Sequence, residues 1–320
     1  MSTVSTPPER TRGQGFILLQ FLGMGLVFGA SFLFVKIALV GVSFSQVSWA
    51  RIILGGTVLG LICLIGRHRL PREPIVWLHF GVIAISGCII PYTCFAWAEQ
   101  YVSSGLASIY NAVTPIATAL MVTVAFRVEK LGRDQIVGVS VGILGVVVII
   151  GPWALQALQG SIWGQLACLA AGVSYGFTGA YTRRFLSGRP ISGVPFAFMQ
   201  IGLAAGMMIL ATPFVALTPV SLSLPIILSL VTLGTFGTGL AYVWNINVFR
   251  VWGPTATSTF TYITPIVGVV LGILILGESL SWNQPVGAGL VFLGILLTQS
   301  RFRLRRPAGL PATEPPAAGA

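Results

Sequence analysis

Charge is what this sequence has least of. Only 8% of its 320 residues are charged, 18 basic and 7 acidic, and there are 2 histidines. A soluble domain carries roughly a quarter charged residues, so a soluble globular fold is excluded. The same scarcity argues against catalysis, because membrane hydrolases and transferases gather acids, histidines or metal ligands in one place. Here His68 falls in a loop and His79 near the start of an apolar segment. There is no His-Glu-x-x-His, no Asp pair and no Ser with a His base to serve it, so no enzyme is expected. There is no P-loop either, so nothing on this chain couples ATP hydrolysis to work, and no cofactor is expected. Cysteine is as sparse. Cys63, Cys88, Cys94 and Cys168 all fall in apolar segments without paired spacing, which indicates packing and not a disulfide, zinc or other metal site.

What is there is apolar sequence. Hydrophobic residues make up 55% of the chain, and the mean hydropathy is +0.91. A helical crossing of a bilayer needs about 20 apolar residues. Polar and Gly/Pro clusters divide the chain into ten such spans, at 15–39, 44–65, 75–98, 104–126, 135–151, 161–182, 195–217, 225–247, 255–276 and 283–299. The first apolar run is too long for a signal peptide and meets Lys36 without a cleavage site, so it is expected to stay as a crossing. Residues 1–14 form a short N-terminal tail. Residues 300–320, basic and then Pro/Ala-rich, are expected to be disordered.

The net charge of +11 does not point to nucleic acid, because the bases lie in short links between spans. Arg10 and Arg12, then Arg67, Arg69 and Arg72, then Arg127, Lys130 and Arg133 fall on alternate links. Arg183, Arg184 and Arg189, then Arg250, then Arg301, Arg303, Arg305 and Arg306 continue the series. The intervening links contain no Lys or Arg, and only Lys36 and Arg51 fall on their side. Such an asymmetry places both termini in the cytoplasm.

The chain also repeats itself. "ASIYNAVTPIATAL" (107–120) returns as "TSTFTYITPIVGVV" (257–270), with Thr114-Pro115-Ile116 matched by Thr264-Pro265-Ile266. Gly25, Phe28, Gly29 and Lys36 match Gly172, Tyr175, Gly176 and Arg183, and Tyr92 matches Tyr242. Glu129-Lys-Leu131, Gln135, Gly138 and Gly145 match Glu278-Ser-Leu280, Gln284, Gly287 and Gly294. The unit is five spans long. Five is odd, so the second copy enters the membrane from the opposite side. The links agree: "RVEKLGRD" is basic, while its counterpart "GESLSWN" has lost every Lys and Arg. Inverted repeats of this kind build alternating-access carriers with a site near the midplane.

The motifs "GASFLFVK", "AWAEQYVSSGLASIYNAVTPIATAL" and "TATSTFTYITPIVGVVLGILILGESLSWNQPVGAGLVFLG" resemble the EamA domains of the drug/metabolite transporter superfamily. The resemblance covers about residues 15 to 299, as a first repeat over 15–151 and a second over 161–299. It implies an all-α integral membrane protein, ten transmembrane helices in two inverted five-helix repeats, in a bacterial inner membrane. It also implies a multi-pass exporter of amino acids, related metabolites or drugs.

Candidate site residues follow from the repeat and from polarity. A helical proline removes a backbone donor and frees the carbonyl four residues earlier, and in lipid such groups must be satisfied. Asn111 lies one turn before Pro115, and Thr261 one turn before Pro265. With Thr114 and Thr264 they are expected to line a central cavity, although a packing kink inherited by duplication would give the same pattern. Pro91 precedes Tyr92, Trp97 and Glu99 in span 3; span 8 offers Tyr242, Trp244, Asn245 and Asn247; span 9 adds Tyr262. Aromatics with a few polar groups suit a small amphipathic substrate, while the tryptophans could equally be interfacial belt residues.

Ionisable groups in spans suggest function. Glu99 could titrate as a coupling group, pair with Arg51 or Lys36, or be solvated at a span end. Arg51, whose repeat partner is Gln200, could anchor structure or bind a carboxylate bidentately. Lys36 and Arg183 are expected to snorkel to opposite interfaces, and Glu129 and Glu278 to cap helices or anchor loops. The pairs Gly25/Gly29 and Gly172/Gly176 would let spans 1 and 6 approach closely.

The expected function is secondary export of a small amphipathic metabolite, an amino acid or related compound, driven by a gradient or exchange. A drug, nucleotide-sugar or lipid-linked carrier is the alternative, and a channel a weaker one because no charged ring or carbonyl filter is evident. The expected partners are the substrate and the bilayer, with no nucleic acid; the sequence leaves monomer and homodimer open.

Overall fold

Residues 10–127, 132–151, 162–189, 191, 193–215, 218–258 and 260–299 are described by the computed structural model of the chain. Glu129, the link at 152–161 and the tail at 300–320 lie outside them. Among the described residues there is no strand, and the chain is a succession of helices. They are α1 (Arg10–Ala38), α2 (Phe44–Ile65), α3 (Pro74–Ala98), α4 (Ser104–Ala125) and α5 (Arg133–Ile150). Then follow α6 (Ile162–Phe185), α7 (Gly193–Leu210, with a single further helical turn at Thr212–Val215), α8 (Leu224–Gly234 continuing to Ser258), α9 (Phe260–Leu276) and α10 (Asn283–Gln299).

Helix ends are set by local chemistry. Ser43 and Gln46 form a reciprocal capping box at the start of α2, and the Ser103 hydroxyl accepts from the Leu106 N–H at the start of α4. Each satisfies donors that a first turn leaves open. Gly151 (φ 66°) and Gly277 (φ 65°) follow α5 and α9 in the left-handed conformation that glycine adopts without Cβ strain. Helix α1 begins at Arg10, earlier than the span at 15 suggested, and α8 runs past the expected boundary at 247 to Ser258.

Three interruptions matter more than the ends. Helix α3 contains a π-helical turn at Ile85–Ile89, and α8 one at Thr235–Leu240. In α4, ahead of Pro115, the N–H groups of Ala112 and Val113 bond three residues back, to Ile109 and Tyr110. This tighter turn absorbs the proline at the first turn of the next helical piece, where its missing donor costs least. Pro265 instead sits inside α9, which runs without interruption.

Among the described residues seven helices are long and apolar enough to cross a membrane: α1, α2, α3, α4, α5, α7 and the stretch Leu224–Asn245 of α8. Helices α9 and α10 are apolar but shorter, and Gln165, Ser174, Tyr175 and Thr178 dilute the apolar character of α6. Leu64, Ile65, Leu210, Phe214 and Leu274 are exposed, whereas Gln46, Arg51, Glu99 and Gln200 are buried. That distribution suits a protein whose outer surface meets lipid.

The packing joins early helices to late ones: α1 to α9, α4 to α6 and α9, α2 to α7 and α8, α3 to α6 and α7, and α5 to α10. Glycines set the closest approaches. A Cβ on Gly25 or Gly29 would meet Ile263 or Val267 of α9, and one on Gly172 or Gly176 would meet Val113 or Ala117 of α4. The expected approach of spans 1 and 6 is thus made separately, each to a proline-bearing helix. At the α5–α10 seam Gly138 faces Gly294 and Gly145 faces Gly287, backbone on backbone. This register requires the two helices to be antiparallel.

Candidate functional site

A cavity of about 290 Å³ lies among α1, α2, α3, α4, α6, α8 and α9. Most helices contribute one face. Phe28, Ser31, Phe32 and Val35 come from α1, Tyr92, Phe95 and Glu99 from α3 and the residue that ends it, and Asn111, Thr114 and Thr118 from α4. These are spacings of three, four and seven, which put residues on one side of a helix. Tyr175 and Gly179 of α6, Arg51 of α2, Tyr242 of α8, and Phe260 and Thr261 of α9 complete the wall. The rings pack on each other: Phe28 lies 5.2 Å from Phe260 and 6.4 Å from Tyr242, and Phe32 lies 5.4 Å from Phe95, centroid to centroid.

Arg51 is buried and held at three points. Its Nε donates to the Thr238 hydroxyl at 3.1 Å, its Nη2 reaches the Gly237 carbonyl at 3.5 Å, and its guanidinium lies 4.1 Å from the centre of the Tyr92 ring. Gly237 and Thr238 belong to the π turn of α8, whose widened geometry presents a carbonyl sideways. Gln200 of α7 sits against the π turn of α3, with its Nε2 near the Cys88 sulfur at 3.6 Å and on the carbonyl of Ile83, just ahead of that turn, at 3.5 Å. Arginine and glutamine therefore occupy matching seats, and only one of the two brings charge.

Glu99 is fully buried, so the reading of a solvated span end does not hold. Neither carboxylate oxygen has a hydrogen-bond partner. Lys36 does not pair with this carboxylate: its Nζ donates to the main-chain carbonyls of Glu99 and Val102. Helix α3 ends here, and the ammonium meets the carbonyls its last turn leaves open. Thr114 Oγ1 is the other buried wall atom without a partner.

Of the residues singled out in the sequence, the structure brings Arg51, Tyr92, Glu99, Asn111, Thr114, Tyr242 and Thr261 to the cavity. The others lie elsewhere. Trp97 packs on Tyr101 at 4.8 Å, Asn245 donates to Met24 at 3.4 Å, and Tyr262 packs on Phe292 at 5.9 Å. Thr264 is buried at the α1–α9 crossing, its hydroxyl on the Phe260 carbonyl at 3.4 Å. The prolines Pro91, Pro115 and Pro265 shape helices without lining the wall. Glu278 caps α4: its carboxylate accepts from the N–H groups of Ser104 and Gly105 and from the Ser104 hydroxyl. Among the described residues no cluster of His, Cys, Asp or Glu is placed to hold a metal.

Known proteins share this chain over most of its length. It is 24% identical to the transporter YyaM of Bacillus subtilis strain 168, across 90% of this chain and 95% of that one. It is 25% identical to the inner membrane transporter YedA of Escherichia coli K12, across 87% and 89%. A probable amino-acid metabolite efflux pump of Salmonella typhimurium LT2 is 23% identical across 93% and 98%. One crystal structure shares the fold with a TM-score of 0.60 at 20% identity, covering 91% of this chain and 99% of that one. The profile of the EamA-like transporter family matches residues 15–151 and again 162–299. This multi-pass membrane protein belongs to the EamA-like transporter family.

Proposed function

We propose that the protein is an alternating-access secondary carrier, built as two inverted five-helix repeats over 15–151 and 161–299, that exports a small amphipathic metabolite such as an amino acid. Ten helices cross the inner membrane in this reading, with residues 1–14 and 300–320 as cytoplasmic tails. Helices α6, α9 and α10 take their membrane role from their place in the second repeat.

The observation that carries the reading is the composition of the cavity wall. Phe28 and Tyr175, Phe32 and Gly179, Tyr92 and Tyr242, and Asn111 and Thr261 all line it, each pair at equivalent repeat positions. A site built from the same positions of two inverted halves can be reached equally from either side when the halves rock. The antiparallel α5–α10 seam and the mirrored crossings, Gly25 on Ile263 and Gly172 on Val113, support the same symmetry. At about 290 Å³ the cavity stands at the lower end of small-molecule sites. That favours an amino-acid-sized solute over a nucleotide sugar or a lipid-linked one, and the naming of the Salmonella relative supports the substrate class.

Counterflow tests this. Liposomes holding purified protein are loaded with unlabelled amino acids and related metabolites, and a labelled compound is supplied outside. A carrier gives transient accumulation driven by the unlabelled pool alone. Simple leak of small ions without counterflow would point to a channel.

A further inference from the structure

The carboxylate of Glu99 is the one charged wall group of the cavity with no partner for either oxygen. Its neighbours are already committed. Lys36 of α1 is spent on main-chain carbonyls, Arg51 of α2 on the π turn of α8 and the Tyr92 ring, and Glu278 on the first turn of α4. Cys168 of α6 interacts with it electrostatically, and the other ionisable groups of the wall are the tyrosines Tyr92, Tyr175 and Tyr242. An ionised carboxylate removed from water and left unpaired is strongly disfavoured, so an occupant of the cavity must answer it.

The chemistry of that occupant follows. An ionised carboxylate only accepts hydrogen bonds, so the occupant must donate there, as a proton or as an ammonium group. Phe95, one turn before Glu99, lines the same wall with Phe32, the two rings 5.4 Å apart, and aromatic faces attract organic cations. Divalent metal sites gather several carboxylate ligands, and the described residues hold no group of three or more His, Cys, Asp or Glu. The free Thr114 hydroxyl and Asn111 remain for a second polar group on the same molecule.

We propose, resting on the carrier reading above, that Glu99 seats a protonated amine of the transported molecule and carries a proton in its place when the cavity is empty. The exchange balances: an ammonium enters, the carboxyl gives up its proton to water, and the carboxylate pairs with the ammonium. On release the carboxylate takes a proton back. The ligand class is therefore small amphipathic amines, zwitterionic amino acids included, and acids that lack an amine are excluded.

The test is titration calorimetry on the full chain in lipid nanodiscs near pH 7, in two buffers of different ionisation enthalpy. The probes are 3-methylbutylamine and 4-methylpentanoate, which share an apolar body. The amine is expected to bind with roughly one proton released per ligand, and the acid to bind at least about tenfold more weakly. In Glu99→Gln the release should vanish and amine affinity should fall by roughly tenfold or more. Glu99→Asp, which keeps the charge, should retain the release.

Absence of amine binding, amine binding without proton release, or equal affinity for the acid would overturn the proposal. Proton-linked amine binding without counterflow of any compound would leave the ammonium seat standing and remove the carrier reading. Counterflow of 4-methylpentanoate as fast as of the amine would do the reverse.

Discussion

Glu278 accepts hydrogen bonds from the main-chain N–H of Ser104 at 2.7 Å and from the Ser104 hydroxyl at 3.0 Å. The two residues are far apart in sequence, so the carboxylate following α9 serves as the missing first-turn partner of α4. A charged acceptor at a helix start satisfies open donors and favours the helix dipole. Glu278→Ala is expected to lower stability by about 1–3 kcal/mol, because it leaves buried donors unpaired. Glu278→Gln should lose less, since it keeps one acceptor. Thermal unfolding of the purified protein in one detergent measures both.

The α5–α10 seam gives a sharper test of packing. A Cβ at Gly294 would lie 2.5 Å from the Gly138 carbonyl oxygen and 2.6 Å from the Gly142 nitrogen, whereas one at Gly289 meets nothing within 4 Å. Backbone cannot step aside as a side chain can. Gly294→Ala should therefore destabilise by about 1–3 kcal/mol. Gly289→Ala, on the same helix, should be neutral or gain up to about 1 kcal/mol from helix propensity.

Arg51 and Gln200 hold equivalent seats, which separates structure from charge at Arg51. Arg51→Gln keeps a donor for the π turn and should unfold within a few degrees of the wild type. Arg51→Ala leaves Thr238 and Gly237 without that donor and should lose about 1–3 kcal/mol. If the Arg51 charge acts on the substrate, Arg51→Gln lowers counterflow by roughly tenfold while stability holds. An unchanged rate would make Arg51 an anchor alone.

The wall divides the candidate residues into two groups. Asn111→Ala and Tyr242→Ala should each cut counterflow by roughly tenfold with near-normal expression, since a lost polar contact to a bound ligand is worth about 1.4 kcal/mol or more. Asn245→Ala and Trp97→Phe, both off the wall, should leave it within about twofold of the wild type. Initial rates in proteoliposomes of matched protein content decide this.

How much of the site the sequence disclosed depends on the kind of residue. Asn111, Thr114, Arg51 and Glu99 stand out because polar groups are rare in these spans, and Tyr92 and Tyr242 because the repeat pairs them. Asn245, Tyr262 and Thr264 satisfy the same criteria, but each helical residue turns by about 100°. Tyr262, one position from Thr261, is turned that far onto Phe292, whereas Asn245 and Thr264, three positions from Tyr242 and Thr261, lie nearly a turn further along their helices, at Met24 and the α1–α9 crossing. Phe28, Phe32, Phe95 and Phe260 look like any core phenylalanine in an apolar run. A signal for some was available: spacing of three, four and seven from Asn111 reaches Thr114 and Thr118, and the same spacing from Tyr92 reaches Phe95 and Glu99. The repeat pairs Phe28 with Tyr175, but nothing in that pairing distinguishes a wall residue from a packing one. The π turns had no such signal, because a single inserted residue per turn leaves composition unchanged. The one in α8 supplies the hydroxyl and carbonyl partners with which Arg51 can be buried.

The central claim is that the cavity opens to each side in turn, and one cysteine tests it most directly. Cys63, Cys88, Cys94 and Cys168 are replaced, and Thr114→Cys is introduced on the cavity wall with little change of volume. A membrane-impermeant thiol reagent is then applied to vesicles of either orientation, with and without a substrate found by counterflow. The account predicts labelling from both sides, with substrate shifting the two rates in opposite directions. Labelling from one side alone, whatever the substrate, would contradict it.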